Sequence, residues 1–281
     1  MSFKTLLAVV EYGDQLTDCL SAPIELARAF DAHLTVLVVG EVPPLPFYGY
    51  GGQGYLGVWL KEGEDRARNV QEAARSLEER LERAAISYDV RPHQAIVARE
   101  DNLVARHAIY SDLPMLVRTG EGPLTSLERQ AIDGALFDSG RPLMLLPRRA
   151  QVWTPGGSIM AAWNSRPEAA EALADALPLL KAAGKVILLV VDPETGPDDH
   201  GEDPGADIAL VLARHGLAVE VCRAASAGRA VSDVLRAEAV RLGIDLIVMG
   251  AYGHSRLKQT ILGGTTRNML ENSPIPLFMA H

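Results

Sequence analysis

Cysteine is scarce: Cys19 and Cys222 are the only two in 281 residues, and they lie far apart. That excludes a disulfide framework and a Cys-based zinc site, and fits a reducing compartment. Aromatic residues make up 5% of the chain. No stretch approaches the roughly 20 consecutive apolar residues that span a bilayer. The apolar run near the N-terminus covers only Leu6 to Val10, too short for the core of a signal peptide. Basic residues are in deficit, with 27 Lys and Arg against 36 Asp and Glu, for a net charge of −9. A nonspecific nucleic-acid binder presents a basic face, so this balance argues against one. G-x-S-x-G, H-E-x-x-H, a kinase set, a Walker A loop and the dinucleotide fingerprint G-x-G-x-x-G are all missing. The expectation is a cytoplasmic protein with neither a membrane nor a nucleic acid as partner, and without a recognisable catalytic constellation.

What is present is an alternation that runs twice. "KTLLAVV" (Lys4 to Val10) reads as a short strand. Leu16, Cys19, Leu20, Ile24, Ala27 and Phe30 then recur at helical spacing, and "HLTVLVV" is a second strand. A helix is expected from Glu62 to Ala85, with Val70, Ala74, Leu77, Leu81 and Ala84 as its apolar stripe. Glu62–Arg66, Glu64–Arg68 and Glu79–Arg83 are i,i+4 pairs on its solvated faces. "SYDVRPHQAIV", "LPMLVR" and "RPLMLLP" supply three more strands. In the second half "GSIMAAW", "KVILLVV", "LAVEVCR", "IDLIVMG" and "IPLFMAH" repeat the order, with a helix opening at Pro167 after the first. Nearly continuous apolar strands separated by helices indicate parallel βαβ units covered on both faces.

The fold class is therefore α/β: two similar doubly wound domains, each an open, mostly parallel five-stranded sheet with helices on both faces. The expected domains are residues 1–149 and 156–281, joined by the polar linker "PRRAQVWTPGG". Leu6 matches Ile159 and His33 matches Lys185, but Pro142 matches Pro276, so the first half carries about 19 extra residues. The stretch "PPLPFYGYGGQGYLGVWL" (43–60) accounts for them; with Tyr48, Tyr50, Tyr55 and Trp59 it reads as a surface loop, a lid or a stacking platform. The final strands, "RPLMLLP" and "IPLFMAH", are the expected contact of an intramolecular pseudo-dimer, because edge strands need cover. A homodimer is an open alternative.

"GAYGHSRLKQTILGGTT" (Gly250 to Thr266) follows the fourth strand of the second half. Ligands of open α/β sheets bind outside the carboxyl ends of the strands. Gly250 and Gly253 let the chain turn off the strand. Gly263 and Gly264 can present successive N–H groups to an anion, and a helix beginning near Thr265 adds its positive end. His254, inside this stretch, has no evident base or nucleophile beside it. The acidic run "DPETGPDDHGEDPG" (192–205) reads as a polar loop before it reads as a metal site.

The spacing Gly-x-x-Gly, nine residues, Gly-Gly-Thr, followed by "ENSPIPLFMAH", resembles the universal stress protein family in its tandem two-domain form. The resemblance covers nearly the whole chain and implies a Rossmann-like, adenine nucleotide alpha hydrolase-like fold. It also implies a stress-response protein that binds an adenine nucleotide, ATP or AMP, in the second half as a regulatory ligand. By that resemblance Met249 and Gly250 lie at the ribose and phosphate region, and Gly253, Gly263 and Gly264 contact phosphate, with Thr265 next in line. Val191 offers its backbone to adenine. Mg or Mn would enter only with the nucleotide. Asn164 stands where the family has an acidic anchor, and Gly264 where it has Ser or Thr. A ligand-free scaffold and a slow ATPase are the alternatives. The first half keeps Gly120 and Gly122 but places Ile132 and Asp133 where the glycine pair should be. Glu121 and Asp133 are expected to repel phosphate there, so one nucleotide per chain is expected. Glu11 holds the acidic position of the first half, structural or solvated in the absence of the loop.

Overall fold

The computed structural model describes residues 2–13, 18–42, 53–96, 102–118, 120, 122–147, 153–193, 203–252 and 264–281, apart from the side chains of 18, 53–55 and 96. The first half runs β1 (Thr5–Glu11), α1 (Ser21–Phe30), β2 (His33–Val42), α2 (Gln53–Ala84), β3 (Tyr88–Ile96), α3 (Leu103–Ala108), β4 (Leu113–Val117), α4 (Ser126–Asp133) and β5 (Leu143–Leu146). The second half runs β6 (Ser158–Trp163), α5 (Pro167–Asp175), α6 (Leu177–Ala182), β7 (Lys185–Val191), α7 (Ala206–Arg214), β8 (Val219–Ala224), α8 (Val231–Leu242), β9 (Leu246–Gly250), α9 (Gly264–Asn272) and β10 (Leu277–Ala280). Among the described residues no helix is long and apolar enough to cross a membrane.

The two five-stranded sheets join into one, in the order β3-β2-β1-β4-β5-β10-β9-β6-β7-β8. Every neighbouring pair is parallel except β5 and β10, which run antiparallel with Met144 opposite Phe278 and Leu145 opposite Leu277. The two final strands thus cover each other's edges, as expected of the pseudo-dimer contact. The joint is as dry as any strand interior: Phe278 and Leu277 are fully buried and Met144 and Leu145 nearly so.

Two hydrophobic cores result, but they are divided by sheet face, not by half. Leu6, Ala8 and Val10 of β1 belong to one core with Phe278, Ile159 and Ala161, while Leu7 and Val9 belong to the other with Leu277, Met160 and Ile247. The period-two alternation of a strand, applied across a continuous sheet, makes both cores run through both halves.

Helix α2 departs from expectation. It spans 32 residues and starts at Gln53, inside the aromatic insert, nine residues before the expected Glu62. Its buried stripe is the expected one, Val70, Ala74, Leu77 and Leu81 with Ala84. The i,i+4 pairs are mostly replaced. Glu79 and Arg83 pair at 3.7 Å, but Arg68 takes Asp65, and Arg66 lies over the Tyr12 ring at 5.8 Å from its centroid. Arg66 faces the exit of β1, so its guanidinium meets an aromatic face instead of solvent.

Candidate functional site

Strands β7, β6 and β9 are adjacent and parallel, so their carboxyl ends share one edge. Beside β6 the chain order reverses, with β7 and β8 on one side and β9 and β10 on the other. This is the switch point at which α/β sheets open a crevice. Asn164 immediately follows β6, Val191 ends β7, and Met249 and Gly250 end β9. The register puts Trp163 level with Val190 and Ala161 with Val248, so these residues stand at matching heights on neighbouring strands. Helix α9 is tied to the same edge, because the Tyr252 N–H donates to Thr266 Oγ1 at 3.3 Å.

Each of these three strand exits carries a non-glycine residue in the left-handed region: Ser165 at φ 56°, Asp192 at φ 47° and Tyr252 at φ 61°. Such conformations are uncommon for residues with a Cβ and persist where surroundings hold them. The holding bonds are present. Asn164 Oδ1 accepts from the Arg166 N–H at 3.3 Å, and Asp192 Oδ1 accepts from the Ser226 N–H at 2.7 Å. Asp192, fully exposed, has its carboxyl held below the usual range by those Ser226 hydrogen bonds. Among the described residues of the first half, the left-handed non-glycines are Asp31 and Ala85, both at helix ends.

The glycines at this edge have different reasons. A Cβ on Gly250 would come within 2.7 Å of the Ala169 nitrogen and the Glu168 carbonyl carbon, so Gly250 lets α5 approach β9. Gly264, the first residue of α9, has no atom within 4 Å of where its Cβ would stand, and it is exposed. As in any helix, the N–H groups of the first turn of α9 have no partner within the helix, and Thr265 stands next to Gly264. Gly253, Gly263, His254, Arg256, Lys258 and most of the acidic run 192–205 lie outside the described residues. Among the described residues no cluster of three or more His, Cys, Asp or Glu could hold a metal ion.

The corresponding edge of the first half is closed by its own side chains. Arg118, directly after β4, is 5% exposed, and Glu128 in the first turn of α4 is 3% exposed. Their side chains meet twice, Nε to Oε1 at 3.1 Å and Nη2 to Oε2 at 3.3 Å. Arg118 Nη2 also donates to the Gly122 carbonyl at 2.9 Å. Nη1 crosses to the second half and donates to the Leu270 and Glu271 carbonyls in the last turn of α9, at 3.3 and 3.1 Å. Thr125 caps α4 in a reciprocal box with Glu128, and its hydroxyl donates to Glu11 Oε2 at 3.2 Å. Glu11 is thus structural, and burial pushes its carboxyl up, with Glu41 and Glu128 adding to the rise.

The expected role of Asp133 needs correction. Helix α4 starts at Ser126, four residues past Gly122, so Asp133 sits in its last turn and not at a phosphate position. There burial and then Asp138 raise its carboxyl, and it faces Tyr252 of the second half, whose phenol is raised by burial first and Asp133 second. Tyr252 packs edge-on against Phe137 at 4.8 Å and His281 at 6.2 Å. Glu121 lies outside the described residues. The carboxylates that do gather at the first-half crevice are Glu11, Glu41 and Glu128.

Residues 157–281 match the universal stress protein family. The second half is a universal stress protein domain. No curated protein sequence matches the chain. Among solved structures, a universal stress protein from Archaeoglobus fulgidus DSM 4304 superposes with a TM-score of 0.68 at 19% identity, over 98% of this chain and 95% of that one. A protein from Pseudomonas aeruginosa UCBPP-PA14, described as a universal stress protein, gives 0.59 at 16% identity, over 99% and 93% of the two chains. Both likenesses run through the two halves, so the first half has the universal stress protein fold as well.

Proposed function

We propose that the chain is a stress-response protein whose second half binds one adenine nucleotide, ATP or AMP, as a regulatory ligand, while the first half binds none. The proposal takes 1–149 and 156–281 as its two domains. The observation that carries it is the contrast between the two switch-point edges. At the second-half edge Asn164, Val191, Met249 and Gly250 stand on adjacent strand ends, and α9 opens at the exposed Gly264 with first-turn N–H groups that no intrahelical carbonyl can take up. At the first-half edge Arg118, Glu128, Thr125 and Glu11 hydrogen-bond with one another. A helix N-terminus and a glycine-rich approach suit a polyphosphate, and membership of the second half in the family supports the assignment.

In this reading the Asn164 amide hydrogen-bonds the ribose, and the Val191 backbone meets the adenine edge. Gly253, Gly263 and Gly264 give the phosphates room and N–H donors, and Thr265 adds a hydroxyl. Mg or Mn would accompany the phosphates, and among the described residues no cluster of His, Cys, Asp or Glu would hold it alone. Calorimetry of ATP and AMP against the full chain tests the proposal. One nucleotide per chain is expected, with binding abolished by Gly263→Trp. No binding near millimolar nucleotide leaves the scaffold reading, two nucleotides per chain overturns the asymmetry, and steady phosphate release identifies a slow ATPase.

A further inference from the structure

Tyr252 stands where β9 passes into the glycine motif, one residue before Gly253. Its φ of 61° is left-handed, a state that a residue with a Cβ keeps only where its surroundings hold it. The main chain around it is held from within the second half. The Ala251 N–H donates to the Ala280 carbonyl at 2.9 Å, and His281 Nδ1 donates to the Ala251 carbonyl at 2.9 Å. The Tyr252 N–H donates to Thr266 Oγ1, which ties the start of the motif to α9. The ring also takes a partner from the first half. Phe137 meets it edge to face, with 4.8 Å between centroids and 61° between planes. Phe137 meets the His281 ring at 4.7 Å as well, so three rings from both halves close on one another.

Phe137 is carried on a fixed support. It belongs to the π-helical turn Gly134–Asp138 that continues α4, an irregularity frequent at functional sites. Asn102, the N-cap of α3, fastens this turn: its Nδ2 donates to the Gln130 carbonyl at 2.9 Å and to Asp138 Oδ2 at 3.0 Å. A Cβ on Gly134 would come within 2.7 Å of the Asn102 carboxamide, so the turn and the cap are in close contact. The other end of α4 is set by the Thr125 capping box and by the buried Arg118–Glu128 pair. The side chains that occupy the first-half switch point are thus the footing of the helix that presents Phe137 to Tyr252.

We propose that Phe137 is a positioning residue for the phosphates of the nucleotide in the second half, acting through Tyr252. This role rests on the nucleotide reading above and gives the half that binds none a part in it. The direction in which the chain leaves β9 depends on the Tyr252 main chain, and the Phe137 ring favours its left-handed state. Loss of that ring lets part of the population leave the state. The apparent dissociation constant then rises by the reciprocal of the fraction that remains. An edge-to-face pair is worth about a threefold to tenfold shift in such an equilibrium.

Calorimetric titration of ATP into the full chain, parent and variants, tests the role. Phe137→Ala should raise the dissociation constant about threefold to tenfold and leave one site per chain. Phe137→Leu, which keeps apolar bulk and so protects folding, should show a smaller loss in the same direction. Phe137→Tyr, which keeps the ring, should bind as the parent does. Tyr252→Gly adopts a positive φ without strain but offers Phe137 no ring. In that background Phe137→Ala should have no further effect on ATP. Without nucleotide, the Tyr252 amide should exchange its hydrogen faster in Phe137→Ala than in the parent, as its bond to Thr266 loosens. ATP binding that is equal in the parent, Phe137→Ala and Phe137→Leu refutes this role alone. So does a Phe137→Ala effect that is undiminished in the Tyr252→Gly background, or an unchanged Tyr252 exchange rate. A parent that binds no ATP near millimolar nucleotide refutes the nucleotide reading itself, and this role falls with it.

Discussion

Replacing Arg118 by Met tests the closure of the first half. The guanidinium makes two buried bonds to Glu128, one part-buried bond to the Gly122 carbonyl, and two bonds to the last turn of α9. Met restores most of the stem's packing but leaves the buried Glu128 carboxylate and the α9 carbonyls without their cation. Breaking a buried pair from one side destabilises by about 3–5 kcal/mol. At about 2–3 °C per kcal/mol for a chain of this size, the melting temperature should fall by roughly 6–15 °C. The double variant Arg118→Met with Glu128→Leu should recover most of the loss, because an apolar pair of similar volume roughly replaces a buried ion pair. It keeps a residual cost of about 1 kcal/mol, since Glu128 also accepts from the Thr125 N–H at 2.9 Å in the capping box. Thermal and denaturant unfolding of the four proteins completes the cycle. Single changes that simply add, or an Arg118→Met cost below about 1 kcal/mol, would refute the assignment of Arg118 as the clamp.

Two further outcomes follow from the same geometry. Burial, then Glu41, raises the folded pKa of Glu11, so its contribution favours the folded state at low pH and is lost as pH rises through that raised value. Glu11→Gln, which still accepts from Thr125, should therefore raise the melting temperature at pH 8 and have no effect at pH 4; a benefit that grows toward acid would reverse the sign. Residues 1–149 produced alone should associate or aggregate, because the break exposes the edge of β5 that β10 covers. A folded monomer on a sizing column would show that the joint is dispensable.

The strands were legible because both sheet faces are covered, so each reads as an apolar block bounded by helix. The edge contact of the pseudo-dimer was legible from the same blocks, since "RPLMLLP" and "IPLFMAH" close the two repeats. The start of α2 was not. Gly57 and Gly63 lower helix propensity, and Leu56, Val58 and Leu60 are exposed, so no buried stripe marks that segment. The capping box Thr125-x-x-Glu128 was in the sequence and unread. It fixes the start of α4 at Ser126 and so removes Asp133 from any phosphate position. The reach of Arg118 could not have been found that way, because its partners Leu270 and Glu271 are 152 and 153 residues away. Tyr252 was hidden for the related reason that Phe137 and Asp133, its neighbours, belong to the other half.

Fusion of the two halves makes their difference possible. In a symmetric dimer of identical subunits every residue occurs twice, at equivalent places. A clamp such as Arg118 with Glu128 would then stand at both switch-point edges. Two halves in one chain keep the twofold arrangement of strands, with β5 against β10, while their loops diverge. Here the position after β4 is Arg118 and the matching one after β9 is Ala251, which has no side-chain polar group and lends its carbonyl to His281 Nδ1 at 2.9 Å. The cation that closes the first edge also supports α9 from its C-terminal end, where positive charge complements the helix dipole. The same helix begins at Gly264 beside the edge proposed for the nucleotide, so one nine-residue element connects the Arg118 clamp to that edge.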